Sequence, residues 1–408
     1  MPGPLVGYKV LDMSRVLAGP WAGQLLADMG AEVIKIERPI VGDDTRHWGP
    51  PYLKDKAGNN TEDAAYYFCA NRGKQSVTVD ITQPEGQQII RQLAAQADVL
   101  IENYKVGGLK KYGLDYSSLA AINPRLVYCS ITGFGQTGPY ADRPGYDFLI
   151  QGMGGLMSVT GEPPDADGHG GPVRAGVAVT DLFSGMYAAN AIQGALLERH
   201  SSNLGQHIDI GLLDVQAAVL ANQASNYLVG GDVPGRIGNS HPNIVPYQAF
   251  ATADGHLILA VGNDGQFQRF CEVINQPQLA QDSRYESNRG RVENRESLCD
   301  LISELMKTTN TKDWLHRLES RNVPCGPINT IDQVFADQQI LARGMLISMV
   351  DTRGGDIPLV ANPINYSRST IDYTVPPPKL GSSTESILGE YLEYSALDIA
   401  ALRNKSVI

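Results

Sequence analysis

The chain has 408 residues, 42% of them hydrophobic, which is enough material for two cores and so for two domains. A formal charge of −11 excludes nucleic acid as the expected partner, because a phosphate backbone is bound by a basic field. The five cysteines, Cys69, Cys129, Cys271, Cys299 and Cys325, are dispersed and never in C-x-x-C spacing, which predicts reduced, packed thiols with neither a disulfide nor a zinc site.

The N-terminal stretch MPGPLVGYKVLDMS has neither the basic leader nor the apolar centre of a signal peptide. No apolar run reaches the roughly 18 residues that span a bilayer, so a cytoplasmic protein without a membrane partner is expected. Tyr8–Met13 reads as a strand. Pro20 suits the first turn of a helix over Trp21–Met29, since a first-turn proline has no intrahelical N–H to lose. Gly30 can end that helix at positive φ, and Ala31–Ile36 returns as a second strand, which makes a right-handed β-α-β unit and a parallel sheet. Glu37–Asp63 is polar and long for a connection, pointing to a working loop that holds Arg38, Arg46 and Trp48.

Gln75–Ile81, Pro84–Gln96 and Asp98–Glu102 repeat the strand-helix-strand alternation. A short helix over Ser117–Ile122 precedes a β-branched and aromatic strand ending at Thr132. Val179–His200 is rich in Ala, Leu and Gly at helical spacing, which predicts close packing against a neighbour. Gln206–Ile210 reads as a strand and Leu212–Leu228 as one apolar helix. From Gly230 the composition turns to Gly, Pro and Asn, marking passage into a second domain with a strand over Leu257–Val261 and helices over Gln266–Ile274, Arg295–Met306 and Lys312–Arg321. A further amphipathic helix is expected over Thr384–Leu392. The expected division is a large α/β domain from residues 1–228 and 331–408, and a small α+β domain from 229–330.

Gly133-Phe-Gly-Gln-Thr-Gly138 is a literal G-x-G-x-x-G after a strand. A dinucleotide fingerprint needs a helix opening on its third glycine, and Pro139, Pro144 and Gly145 interrupt any such helix. The run is better read as a loop shaping an acyl pocket. Between it and Gly152-Met-Gly-Gly155 stands Asp147, in Gly145-Tyr146-Asp147. Most loop aspartates cap nearby N–H groups. Beside a glycine loop that can supply oxyanion donors, however, a carboxylate can attack an activated carbonyl. The seven histidines lack metal-ligand spacing, and no G-x-S-x-G elbow occurs, so neither a metal site nor a hydrolase triad is expected.

With these residues in view the chain resembles the family III (CaiB/BaiF) CoA-transferases, the group that contains formyl-CoA transferase and carnitine CoA-transferase. The resemblance runs through Val10–Pro39, Gly42-Asp-Asp-Thr-Arg46 with Trp48, Asn71-Arg-Gly-Lys74, Glu102-Asn-Tyr104, Ser130–Tyr140, Gly145-Tyr-Asp147, Gly205-Gln206 and Cys325-Gly-Pro327. It implies a Rossmann-like large domain, a smaller α+β domain and an interlaced homodimer. It also implies that Asp147 is the nucleophile, that Val16, Arg38, Arg72, Lys74, Asn103, Tyr104 and Lys111 contact CoA, and that Trp48 lines the acyl end.

The implied substrates are an acyl-CoA, such as succinyl-CoA, and a free carboxylic acid, with coenzyme A as the group transferred and no metal. Gly154 and Gly155 are the expected oxyanion donors. Arg15, Arg46 or Arg174 would clamp the far end of a short dicarboxylate. Asn239–Pro246 replaces the glycine-rich flap of formyl-CoA transferases, which counts against oxalate, and Leu380-Gly-Ser-Ser-Thr384 departs from the family's tail motif. The alternatives are an α-methylacyl-CoA racemase, which has histidine where this chain has Tyr146, and a non-catalytic CoA-binding protein.

Overall fold

The computed structural model describes residues 2–165, 167–351 and 355–408. The chain divides into two compact units, one from Met1–Leu156, Ala175–Ser225 and Gln338–Ile408, the other from Met157–Arg174 and Asn226–Asp337. The first unit is built on β1 (Lys9–Asp12), α1 (Ala18–Asp28), β2 (Glu32–Glu37), β3 (Lys74–Thr78), α2 (Pro84–Gln96), β4 (Val99–Glu102), α3 (Tyr116–Ile122), β5 (Val127–Thr132), α4 (Asp147–Met153), α5 (Val179–Ser202), β6 (His207–Gly211) and α6 (Leu212–Val219).

Six of its strands form one parallel sheet, in the order β3-β2-β1-β4-β5-β6. Val10 stands opposite both Val33 and Val99, and Tyr128 opposite both Leu100 and His207. Alternation along the strands sends Leu11, Ile34, Val77, Leu100 and Tyr128 to a core with α2, and Val10, Val33, Val99, Val127 and Cys129 to a core with α1 and α5. Every residue of β4 and β5 is buried, as expected of a parallel sheet covered on both faces. The small residues of α5 let it approach α1 closely, since a Cβ on Gly185 would lie 2.5 Å from the Ala18 carbonyl oxygen.

The direction of winding reverses between β1 and β4. The loops leaving these strands diverge, and a crevice opens at their C-terminal ends.

Two sequence expectations change. The stretch expected as one helix over Leu212–Leu228 breaks after Val219, and Ala221 sits at φ +45° before a second helix begins. Glu37–Asp63 is more ordered than a loop, with a turn of 3-10 helix at Asp44–His47 and a strand Tyr52–Lys54 that pairs with Asn60–Ala64.

The second unit is α+β. His256–Ala260 is the middle strand of an antiparallel sheet between Tyr247–Ala251 and Cys325–Pro327. Helices Asp264–Val273, Arg295–Met306 and Thr311–Glu319 close a core around Phe250, Leu259, Phe267, Phe270 and Trp314. No helix among the described residues is long and apolar enough to cross a membrane.

Candidate active site

β5 ends at Thr132 and leads into Gly133, and the return pass before α4 lays Gly145 against it. A Cβ on Gly133 would lie 2.6 Å from the Gly145 Cα, and one on Gly145 would lie 2.4 Å from the Gly133 Cα. Only two glycines can touch in this way. Gly135 and Gly138, at φ +81° and +91°, turn the loop between them. The G-x-G-x-x-G run thus secures a backbone-to-backbone contact, and the next helix opens at Asp147 rather than on the third glycine.

Asp147 is the first residue of α4 and is 8% exposed. Its Oδ2 accepts a hydrogen bond from Gln151 Nε2, one turn further on, at 2.7 Å. Its Oδ1 accepts from the backbone N–H groups of Thr180 at 2.9 Å and Asp181 at 3.3 Å. These are first-turn amides of α5, which have no partner within their own helix. Gln151 is itself held, its Oε1 accepting from the Ala175 N–H at 2.9 Å.

Beside Asp147 a cavity of about 550 Å³ occupies the crevice where the winding reverses, within the usual size range of a small-molecule site. Gly145, Tyr146 and Asp181 line it next to the nucleophile candidate, and the loops after β1 and β4 line the other side. Those two loops are clasped by Asn103, whose Oδ1 accepts from Arg15 N at 2.9 Å and whose Nδ2 donates to Arg15 O at 2.7 Å. Val16 follows at φ +71°, a left-handed conformation strained for a β-branched residue. Its N–H donates to Asp43 Oδ1 at 3.3 Å.

Of the expected CoA contacts, Val16, Asn103 and Tyr104 line this cavity, as does Trp48, which meets Tyr66 edge-on at 5.2 Å between centroids. Arg38 and Lys111 are exposed outside the lining, at the end of β2 and after β4.

Three expected ligand-binding cations are turned inward. The Arg72 guanidinium forms a two-bond fork with Asp28, both at 2.7 Å, and also donates to the Val360 carbonyl. Lys74 is fully buried, with Nζ donating to Asp12, the Pro20 carbonyl and Asn71; burial lowers it to about 8 against the pull of Asp12. Arg46, 2% exposed, donates to both oxygens of Glu37, to Asp63, to the Tyr67 hydroxyl and to the Pro378 carbonyl. Their charges answer buried carboxylates, and their side chains do not present a cation to the cavity.

The expectation for the glycine loop is corrected as well. The Gly154 N–H donates to the Ile150 carbonyl at 2.7 Å and the Gly155 N–H points to the Gly152 carbonyl at 3.4 Å, so both amides close the end of α4. They lie seven and eight residues beyond Asp147, about 10–12 Å along a helix. Gly154 is small because α6 passes over it: a Cβ there would lie 2.2 Å from Gln216 Cγ.

The sequence reading passed over three residues that line the cavity. Arg143 lies over the rings of Tyr140 and Phe134, at 4.5 and 5.2 Å, and Lys105 follows the β4 loop. Asp181, the third residue of α5, is pushed up to about 7 by burial and then by the charge of Asp147. No local pattern marks Asp181, because it lies 34 residues beyond the aspartate it meets. Below the site, burial also pushes Glu102 up to about 7, against hydrogen bonds from Ser130 and the Tyr104 N–H. Among the described residues no group of three His, Cys, Asp or Glu side chains is placed to hold a metal ion.

The family model described as CoA-transferase family III matches residues 5–384. The chain is 53% identical over 387 residues to the succinate–glutarate CoA-transferase of Agrobacterium fabrum, covering 95% of each chain. It is 44% identical over 405 residues to the human succinyl-CoA:glutarate CoA-transferase, covering 99% of this chain and 90% of that one. Among solved structures, a CaiB/BaiF family protein from Brucella suis superposes with a TM-score of 0.83 at 50% identity, covering 96% of this chain and all of that one.

Proposed function

The chain belongs to CoA-transferase family III, and we propose that it carries CoA from succinyl-CoA to a free short dicarboxylate such as glutarate, through covalent intermediates on Asp147. The observation that carries this reading is a carboxylate fixed by two helix-terminal N–H groups and one side-chain amide, beside a cavity at the C-terminal ends of a parallel sheet. The choice of acids follows the names of the Agrobacterium and human relatives.

Asp147 attacks the thioester carbonyl and the C–S bond breaks, with the electron pair leaving on the CoA sulfur and a mixed anhydride left on Asp147. The sulfur attacks the aspartyl carbonyl, the anhydride C–O bond breaks, and succinate departs from an aspartyl-CoA thioester. The acceptor carboxylate then attacks that thioester, and the steps run in reverse to free Asp147. Each exchange keeps an activated acyl bond, so the thioester energy survives as long as water stays out.

Val16, Asn103 and Tyr104 hold the CoA arm in this reading, Arg38 and Lys111 meet its phosphates, and Trp48 walls the acyl chain. Arg15 lines the cavity and, among the described residues, its one ion pair is with Asp44, both about half exposed. A pair so open contributes roughly 1 kcal/mol or less, so Arg15 is free to exchange it for the far carboxylate of the acceptor. Tyr146 stands where the racemase alternative requires histidine. An interlaced homodimer in the cytoplasm completes the reading, and the five free cysteines suit a reducing compartment.

The test is intact-protein mass spectrometry after incubation with succinyl-CoA and then hydroxylamine or borohydride, with peptide mapping. Modification is expected at Asp147 in the wild type, with no adduct and no CoA exchange in Asp147→Ala. Full turnover by a folded Asp147→Ala protein would overturn the assignment. If butyrate accepts CoA as well as glutarate does, the dicarboxylate preference fails.

A further inference from the structure

Asp181 joins the proposed active site from the first turn of α5. Its N–H donates to Asp147 Oδ1 at 3.3 Å, and its own residue lines the cavity. Acidic residues are common in the first turn of a helix, where they favour the dipole and cap free N–H groups. Asp181 does not act as such a cap. Its carboxyl accepts no hydrogen bond among the described residues, and the first-turn amides of Thr180 and Asp181 are taken by Asp147 instead. An unpartnered carboxyl beside the nucleophile is costly unless it carries a proton.

The charged and titratable groups around it are few. Asp147 faces it from α4. Tyr66 faces it from the short helix Ala65–Phe68, its phenol pushed up to about 12 by burial, by Cys69 and by the charges of Asp181 and Asp147. Arg15, Asp44, Lys105 and Arg143 line the same cavity. None of these cations offsets the burial of Asp181 or the charge of Asp147, which together push its carboxyl up to about 7.

Resting on the transfer reading above, we propose that Asp181 is a second catalytic carboxyl, which carries a proton while Asp147 carries the charge and passes that proton to the CoA sulfur as Asp147 becomes acylated. When an Asp147 oxygen bonds to the acyl carbon and the C–S bond breaks, the electron pair leaves on sulfur. The Asp181 proton follows it, giving CoA thiol and an Asp181 carboxylate. The two aspartates then hold one negative charge between them, as before, moved from Asp147 to Asp181. In the next step the sulfur attacks the aspartyl carbonyl, Asp181 takes the proton back, and the anhydride C–O bond breaks to release succinate as a carboxylate. Acylation removes the neighbouring charge that holds the proton on Asp181, so the proton is released at the step that needs it.

Two measurements test this. Infrared spectra of the enzyme without substrate should contain protonated-carboxyl absorption that titrates near pH 7, from Asp181 and from the buried Glu102. The Asp181 band, isolated in the Glu102→Gln background, should be absent when Asp181→Asn is added and should shift at least one pH unit lower when Asp147→Asn is added, where the neighbouring charge is gone. In CoA exchange between succinyl-CoA and glutarate, Asp181→Asn should lower kcat by about 100-fold with little change in KM. The wild type is expected to lose kcat/KM above pH 7, and Asp181→Asn should abolish that fall. A band unmoved by Asp147→Asn, or an Asp181→Asn enzyme within threefold of wild type with the same pH profile, overturns the proposal. A wild type that exchanges no CoA removes the transfer reading, whereas the infrared titration involves no turnover and decides the shared proton independently.

Discussion

Arg46 makes five hydrogen bonds inside the fold and lies 3.7 Å over the Tyr67 ring. Removing it would strand Glu37, which is buried and, despite the cost of that burial, is held below the usual carboxylate range chiefly by Arg46. Arg46→Ala should therefore destabilise the protein by about 3–5 kcal/mol in urea unfolding, and the enzyme that still folds should keep its KM for the acceptor acid. A stable Arg46→Ala protein with a raised acceptor KM would return this arginine to substrate binding. The same reasoning covers Arg72 and Lys74, whose carboxylate partners are 44 and 62 residues away in the chain. An Arg-Gly-Lys motif reads the same at a pocket rim as in an interior. Only the approach of Asp28 and Asp12 distinguishes the two.

At the scale of elements, a strand end and a helix start are joined through two glycines. Gly133 and Gly145 meet without side chains, and their contact sets where α4, and with it Asp147, begins. Gly145→Ala would force the two passes apart. It should cost about 1–3 kcal/mol of stability, a usual price of overpacking. The displacement of Asp147 should lower turnover about 100-fold, since misplacing a reacting group by 1 Å costs that much. Turnover at the wild-type level in Gly145→Ala, measured with its melting temperature, would show that the contact does not aim the nucleophile. The glycine density of this stretch was visible in the sequence, and so was the failure of the dinucleotide reading, because Pro139 and Pro144 forbid the helix it needs. The partners of the glycines were not visible, since Gly154 is small on account of Gln216, on a helix far along the chain.

For the whole molecule, the buried Glu102 ties stability to pH. Its carboxyl lies near 7 in the folded protein against about 4.5 when unfolded, so the folded state binds the proton more tightly. Its contribution is full below pH 4.5 and is lost as pH rises through 7. Asp181 acts in the same direction. Between pH 4.5 and pH 8 the wild type should lose about 3 kcal/mol relative to Glu102→Gln, by denaturant unfolding at both values. A difference between the two proteins that does not change with pH would refute this. By itself the sequence determined the parallel strand-helix alternation, the family and the single aspartate on which the chemistry is proposed to turn. These follow from local periodicity, from prolines and glycines that act within a few residues, and from motifs contiguous in the chain. The tertiary structure decided which cations are enclosed by carboxylates, which glycines serve packing, and that Asp181 stands beside Asp147. Electrostatics and close contact depend on distance in space, and these partners come together only when the strands are laid side by side.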